Sequence, residues 1–70
     1  RTMNYPIRVY LGRFGKEQHL CDIDDDYPWA LCKGEFLFHE DNVYKVLYVM
    51  HDVQDGECIV FVRMAVEEDF

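Results

Sequence analysis

A mainly β fold, with four to five antiparallel strands in a bent sheet and one short helical turn near residues 27–33, is what this 70-residue sequence predicts. Three observations carry that expectation. Residues 34–66 hold three apolar runs, Phe36–Phe38, Val43–Met50 and Cys58–Val62, separated by turn-forming residues. Val, Ile, Tyr and Phe dominate those runs, and these types suit a pleated, half-buried surface. Half of all residues are hydrophobic and 16% are aromatic, so the chain has core-forming side chains that disordered sequences lack.

Taken in order, Arg1-Thr2-Met3 suggests Met3 as the native start, and residues 1–4 are expected to fray. Tyr5–Phe14 alternates, with Ile7, Val9 and Leu11 on one side and Arg8, Tyr10 and Gly12 on the other. Gly15-Lys16 marks a turn. A thinner strand or ordered loop follows over Glu17–Ile23, placing His19, Cys21 and Ile23 together. Asp24-Asp25-Asp26 then precedes Tyr27-Pro28-Trp29-Ala30-Leu31-Cys32-Lys33-Gly34. An acidic cap, a proline in the first turn and a closing glycine are the signals of a short helical turn.

The segment 34–66 is expected to be a three-stranded meander. Phe36 and Phe38 alternate with Leu37 and His39, and Asp41-Asn42 supplies a hairpin turn. Residues 43–51 carry an ambiguity, because Val43, Val46, Leu47 and Met50 also match a helical stripe. The β-branched and aromatic content and the preceding turn favour a strand. Asp52–Gly56 is a loop, Cys58–Val66 a strand, and order is expected to end at residues 67–70.

Gly34-Glu35, two strands' worth of apolar residues and Tyr44 early in the middle strand are together similar to Tudor and related SH3-like modules. The likeness covers about half the chain. Seventy residues make one small domain, and four to five strands with one helical turn suggest an SH3-like barrel over residues 1–70.

Composition removes several functions. Serine is absent and Thr2 is the only threonine, which excludes a serine nucleophile and disfavours hydroxyl-lined phosphate sites. Three cysteines leave one unpaired in any monomeric disulfide scheme, which fits a reducing, cytoplasmic setting. Neither a membrane-length apolar run nor a signal-peptide pattern is visible. The net charge of −7 divides into +3 over residues 1–20 and −10 over residues 21–70. So negative a field repels phosphate backbones, and direct nucleic-acid binding is not expected.

Motifs with chemistry in them are weak. His19-x-Cys21 with Cys32 and Cys58 could supply soft metal ligands, but the close pairs typical of zinc sites are missing. Asp22, Asp24 and Asp26 alternate like calcium ligands, yet Tyr27 and Lys33 stand where an EF-hand needs Gly and Glu. A Cys21–His19 nucleophile pair has no third group to orient it. No cofactor, metal or catalytic residue is therefore assigned, and the chain is expected not to be an enzyme.

The aromatic surplus is more informative. Both sides of the two long strands are apolar, so the sheet needs covering on both faces, by residues 5–33 or by another molecule. The expected function is protein–protein contact, including homodimerisation, on a face bearing Tyr44, Tyr48, Met50, Phe61 and Trp29. Asp24, Asp25 and Asp26 would form an acidic rim that steers a basic partner. The alternatives are an acidic mimic of nucleic acid that inhibits a DNA- or RNA-binding protein, and a metal-binding or aromatic-cage module.

Overall fold

The computed structural model describes residues 6–23 and 30–70. The fraying expected of residues 1–4, the acidic rim Asp24–Asp26 and Trp29 lie outside those residues, as does the first part of the helical turn expected over 27–33.

Five strands form one mixed sheet: β1 (Ile7–Leu11), β2 (Gln18–Ile23), β3 (Phe36–His39), β4 (Asn42–Asp52) and β5 (Glu57–Met64). Their spatial order is β2-β1-β5-β4-β3, and the sheet curls into a half-barrel with β2 and β3 as its edges. Three of the four pairings are antiparallel, as expected. The fourth, β1 with β5, is parallel, because the chain passes from the β2 edge to the β3 edge before the meander returns to β1.

The turns follow from their residues. Gly34 has φ +89°, and the N–H of Glu35 donates to the carbonyl of Cys32 at 3.1 Å. A positive φ at the third residue of Cys32–Glu35 is what a type II turn requires, and glycine adopts it without a Cβ clash. Gly34 N–H also donates to Val46 O at 2.9 Å, while Val46 N–H donates to Glu35 O at 2.8 Å. Two residues facing one, led by a positive-φ glycine, make a G1 bulge. Residues 30–33 are thus extended and turn, with no helix. The helical turn among the described residues is instead a 3-10 turn at Glu67–Asp69.

The β3–β4 hairpin closes one residue earlier than Asp41-Asn42. His39 pairs with Asn42, leaving Glu40 and Asp41 as a two-residue loop with φ +49° and +67°. Two positive φ values match the I′ loop that suits strand twist. The β4–β5 loop is held by Asp52, whose carboxylate accepts the N–H groups of Gln54 and Asp55, both at 3.1 Å.

Two bulges decide which side chains share a face. In β4 the register with β5 shifts between Val46 and Tyr48, leaving Leu47 unpaired; in β2 it shifts past Leu20, between the partners of Val9 and Tyr10. An extra residue in a period-2 element moves everything beyond it to the other side. The core face therefore takes Tyr44 and Val46 before the bulge and Val49 after it. These pack with Ile7, Val9, Val60 and Val62, and with half-buried Cys21, Ile23, Leu31, Leu37 and Cys58. Tyr48 and Met50 occupy the opposite face.

Residues 67–70, where fraying is expected, make contacts back to the sheet. Arg63 grips Asp69 with two hydrogen bonds, at 2.9 and 2.8 Å, and Val66 N–H donates to the same carboxylate at 2.7 Å. Phe70 stacks on Phe36 with ring centroids 4.9 Å apart.

Candidate interaction surface

Because both bulges fall at the same level of the sheet, four rings line up across four strands on the second face. Tyr48 faces Phe61, Phe61 faces Tyr10, and Tyr10 faces His19. Ring centroids are 4.9, 6.2 and 5.5 Å apart along that row. Phe14 folds over it from the β1–β2 loop, edge-on to Phe61 at 6.1 Å, and the Phe14 N–H donates to the Tyr48 hydroxyl at 2.8 Å. The Arg13 guanidinium lies 5.8 Å from the centre of the Tyr48 ring. Residues of the first half thus cover the middle of the second face, and Phe61 is only 1% exposed.

The residues expected to bind a partner therefore separate. Tyr44 is 5% exposed inside the core cluster, and Phe61 is enclosed by Tyr10, Phe14 and Tyr48; neither presents surface to another molecule. The Leu47 bulge places Tyr44 and Tyr48 on opposite faces of one strand, and Tyr10, Phe14 and Tyr48 close over Phe61. Tyr48 and Met50 are half-buried beside Phe61 and Ile59. The rings close on Phe61 rather than around a space, so this row is not an open aromatic cage.

The Leu20 bulge also separates His19 from Cys21. Cys21 sits opposite Val9 on the core side, whereas His19 contacts Tyr10 and its Nε2 donates to the Asp22 carboxylate at 2.8 Å. Burial pushes the Cys21 and Cys58 thiols above their ordinary range, which disfavours a nucleophilic thiolate. All three cysteines are free, with Cys32 exposed. Among the described residues, no three His, Cys, Asp or Glu side chains converge as metal ligands.

Among the described residues, the charged groups form two small networks and a further pair, His39 with Glu40 at 3.5 Å. Arg8 bonds Glu57 at 2.7 Å and Asp22 at 3.1 Å, and the His19 and Arg8 contacts hold Asp22 below its ordinary range, the His19 hydrogen bond being the larger cause. Asp69 is held well below the usual carboxylate range, first by the Arg63 hydrogen bonds and then by the Val66 N–H. Lys45 lies 3.5 Å from the same carboxylate.

Besides Phe14, which packs edge-on against Phe61 yet stays 66% exposed, exposed aromatic surface lies on edge strand β3. Phe36 is 40% exposed and Phe38 68%, two positions apart on the same face, with Phe70 stacked against Phe36 and 77% exposed. Sequence reasoning saw the alternation of Phe36 and Phe38 but did not select them. The available signal was a short strand bearing two aromatics between acidic residues Glu35 and Glu40.

No family model, curated protein or solved structure matches this chain. Among the described residues, no helix is long and apolar enough to cross a membrane.

Proposed function

We propose that this chain is a non-enzymatic domain that works by protein–protein contact, through the β3 edge and the exposed rings of Phe36, Phe38 and Phe70. The observation that carries the reading is the contrast between the two aromatic groups. Tyr10, Tyr48 and Phe61 are consumed in packing, with Phe14 66% exposed in the loop above them, while the rings on β3 stand exposed on a strand that has no neighbour on one side among the described residues. Aromatic side chains enriched at interface cores, on an open edge, are what a docking surface offers. The half-barrel's size and strand number support the likeness to SH3-like modules, and three free cysteines support a reducing compartment such as the cytoplasm.

The nucleic-acid mimic is less well supported, because Asp22, Glu57 and Asp69 are already neutralised by Arg8 and Arg63. Homodimerisation remains a form that the same edge could take.

Photo-crosslinking in cells tests the proposal. A crosslinking amino acid at position 38 should give a discrete protein adduct, and one at position 53, exposed in the β4–β5 loop, should not. Equal labelling from both positions, or none from position 38, would contradict it. An adduct of twice the 8.4 kDa chain would identify the partner as a second copy.

A further inference from the structure

The free side of β3 can be described residue by residue. In a two-residue hairpin loop, the flanking residues form a hydrogen-bonded pair, here His39 with Asn42. At the other end of the strand, the Glu35 carbonyl accepts from Val46 N–H. Antiparallel ladders alternate, so Leu37, His39 and the Glu35 carbonyl are directed to β4. Phe36 and Phe38 therefore direct theirs outward, away from the sheet. The two β3 residues with exposed rings are also the two whose backbone donors and acceptors meet no partner among the described residues.

The surroundings of those residues select the occupant. Glu35, Glu40 and Asp41 flank the strand and are exposed, and Glu67 and Glu68 are exposed beside Phe70 in the 3-10 turn. The nearby cations Lys45 and Arg63 are engaged by Asp69. One ring already attracts an ammonium group, since Lys45 Nζ lies 5.9 Å from the centre of Phe36. A second copy docking here would bring the same acids against these, and like charges across an interface are unfavourable.

Resting on the contact surface proposed above, we propose that β3 accepts an extended, Lys- or Arg-rich segment of a partner protein as an added sixth strand. Its backbone would pair with Phe36 and Phe38, as in other strand-addition complexes. Alternate side chains would lie over the two rings, and its cations would meet Glu35, Glu40 and Asp41.

The test is an NMR titration of the whole chain with three capped peptides. One alternates Lys and Val, one alternates Glu and Val, and the third is the Lys peptide with N-methylated backbone at alternate positions. The Lys peptide should bind at least about tenfold tighter than the Glu peptide and lose affinity as salt rises from about 0.05 to about 0.5 M. Its shifts should centre on the amides of Phe36 and Phe38, and N-methylation of the pairing positions should abolish binding. The variant Glu40→Asn/Asp41→Asn removes two charges while keeping residues tolerant of positive φ. It should stay folded and bind the Lys peptide several-fold more weakly. Equal binding of the Lys and Glu peptides, shifts centred elsewhere, or unchanged affinity in the variant would overturn the inference. If the Lys peptide fails while position 38 still crosslinks to a protein, the basic partner is wrong and the contact surface stands; if both fail, so does the surface.

Discussion

The N–H of Phe14 donates to the hydroxyl of Tyr48 at 2.8 Å, tying the β1–β2 loop to β4 across the intervening strands. This bond seats the Phe14 ring against Phe61 and closes the second face of the sheet. Tyr48→Phe keeps the ring packing and the nearby Arg13 but removes the acceptor. It should cost about 0.5–1.5 kcal/mol in denaturant unfolding, the ordinary net worth of one hydrogen bond. An unchanged unfolding midpoint would show that the loop is held by packing alone.

Phe61 and Phe38 should respond oppositely to mutation. Removing the Phe61 ring leaves a cavity beneath Tyr10, Phe14 and Tyr48. Phe61→Ala should cost about 3–5 kcal/mol, enough to unfold a domain this small. Phe38→Ser should change stability by no more than about 0.5 kcal/mol, because that side chain is exposed. The same substitution should remove the position-38 crosslink partner's binding. Thermal and denaturant unfolding of both variants separates the packed ring from the exposed one.

The hairpin loop carries a cost that substitution can relieve. Glu40 and Asp41 both hold positive φ without being glycine, a conformation that side chains with a Cβ resist. Asn-Gly is the favoured pair for this loop. Glu40→Asn with Asp41→Gly should raise stability by about 1 kcal/mol, read as a higher unfolding midpoint with unchanged denaturant slope.

The Arg63–Asp69 clasp sets an acid limit. Folding lowers the Asp69 pKa, so the unfolded chain binds a proton near the ordinary value of about 3.9 that the folded chain refuses. The stabilisation is complete above that value and is lost as the pH falls from there toward the lower folded pKa. Asp69→Asn should be less stable than the parent at pH 6, and the difference should shrink below about pH 4. Thermal unfolding of both proteins across that range measures it; a difference independent of pH would place the stabilisation elsewhere.

Much of this fold was legible from local chemistry. Strand identity followed from the β-branched and aromatic runs, and the turns followed from Gly15, Gly34 and Asp52–Gly56. The bulges were not legible, because Leu20 and Leu47 are apolar residues inside apolar runs and read equally well on either face. The helical stripe Val43, Val46, Leu47 and Met50 does not mark the core, since Val46 alone of the four belongs to the buried cluster. Core positions Tyr44, Val46 and Val49 are spaced by two and then three residues, which mixes the strand and helix periods. The parallel β1–β5 pairing and the Arg63–Asp69 clasp were hidden for another reason: both depend on where distant parts of the chain return in space. The aromatic surplus was seen correctly as a problem of coverage. Its solution is divided, with Phe14 and Tyr10 covering Phe61 while Phe36 and Phe38 stay open.

Amide hydrogen exchange at β3 tests the open edge most directly. In the free protein the amides of Phe36 and Phe38 should exchange fast and those of Leu37 and His39 slowly, and a bound Lys-Val peptide should slow Phe36 and Phe38 selectively. Slow exchange at all four amides in the free protein would mean that the edge is already covered. That result would contradict β3 as a free docking strand.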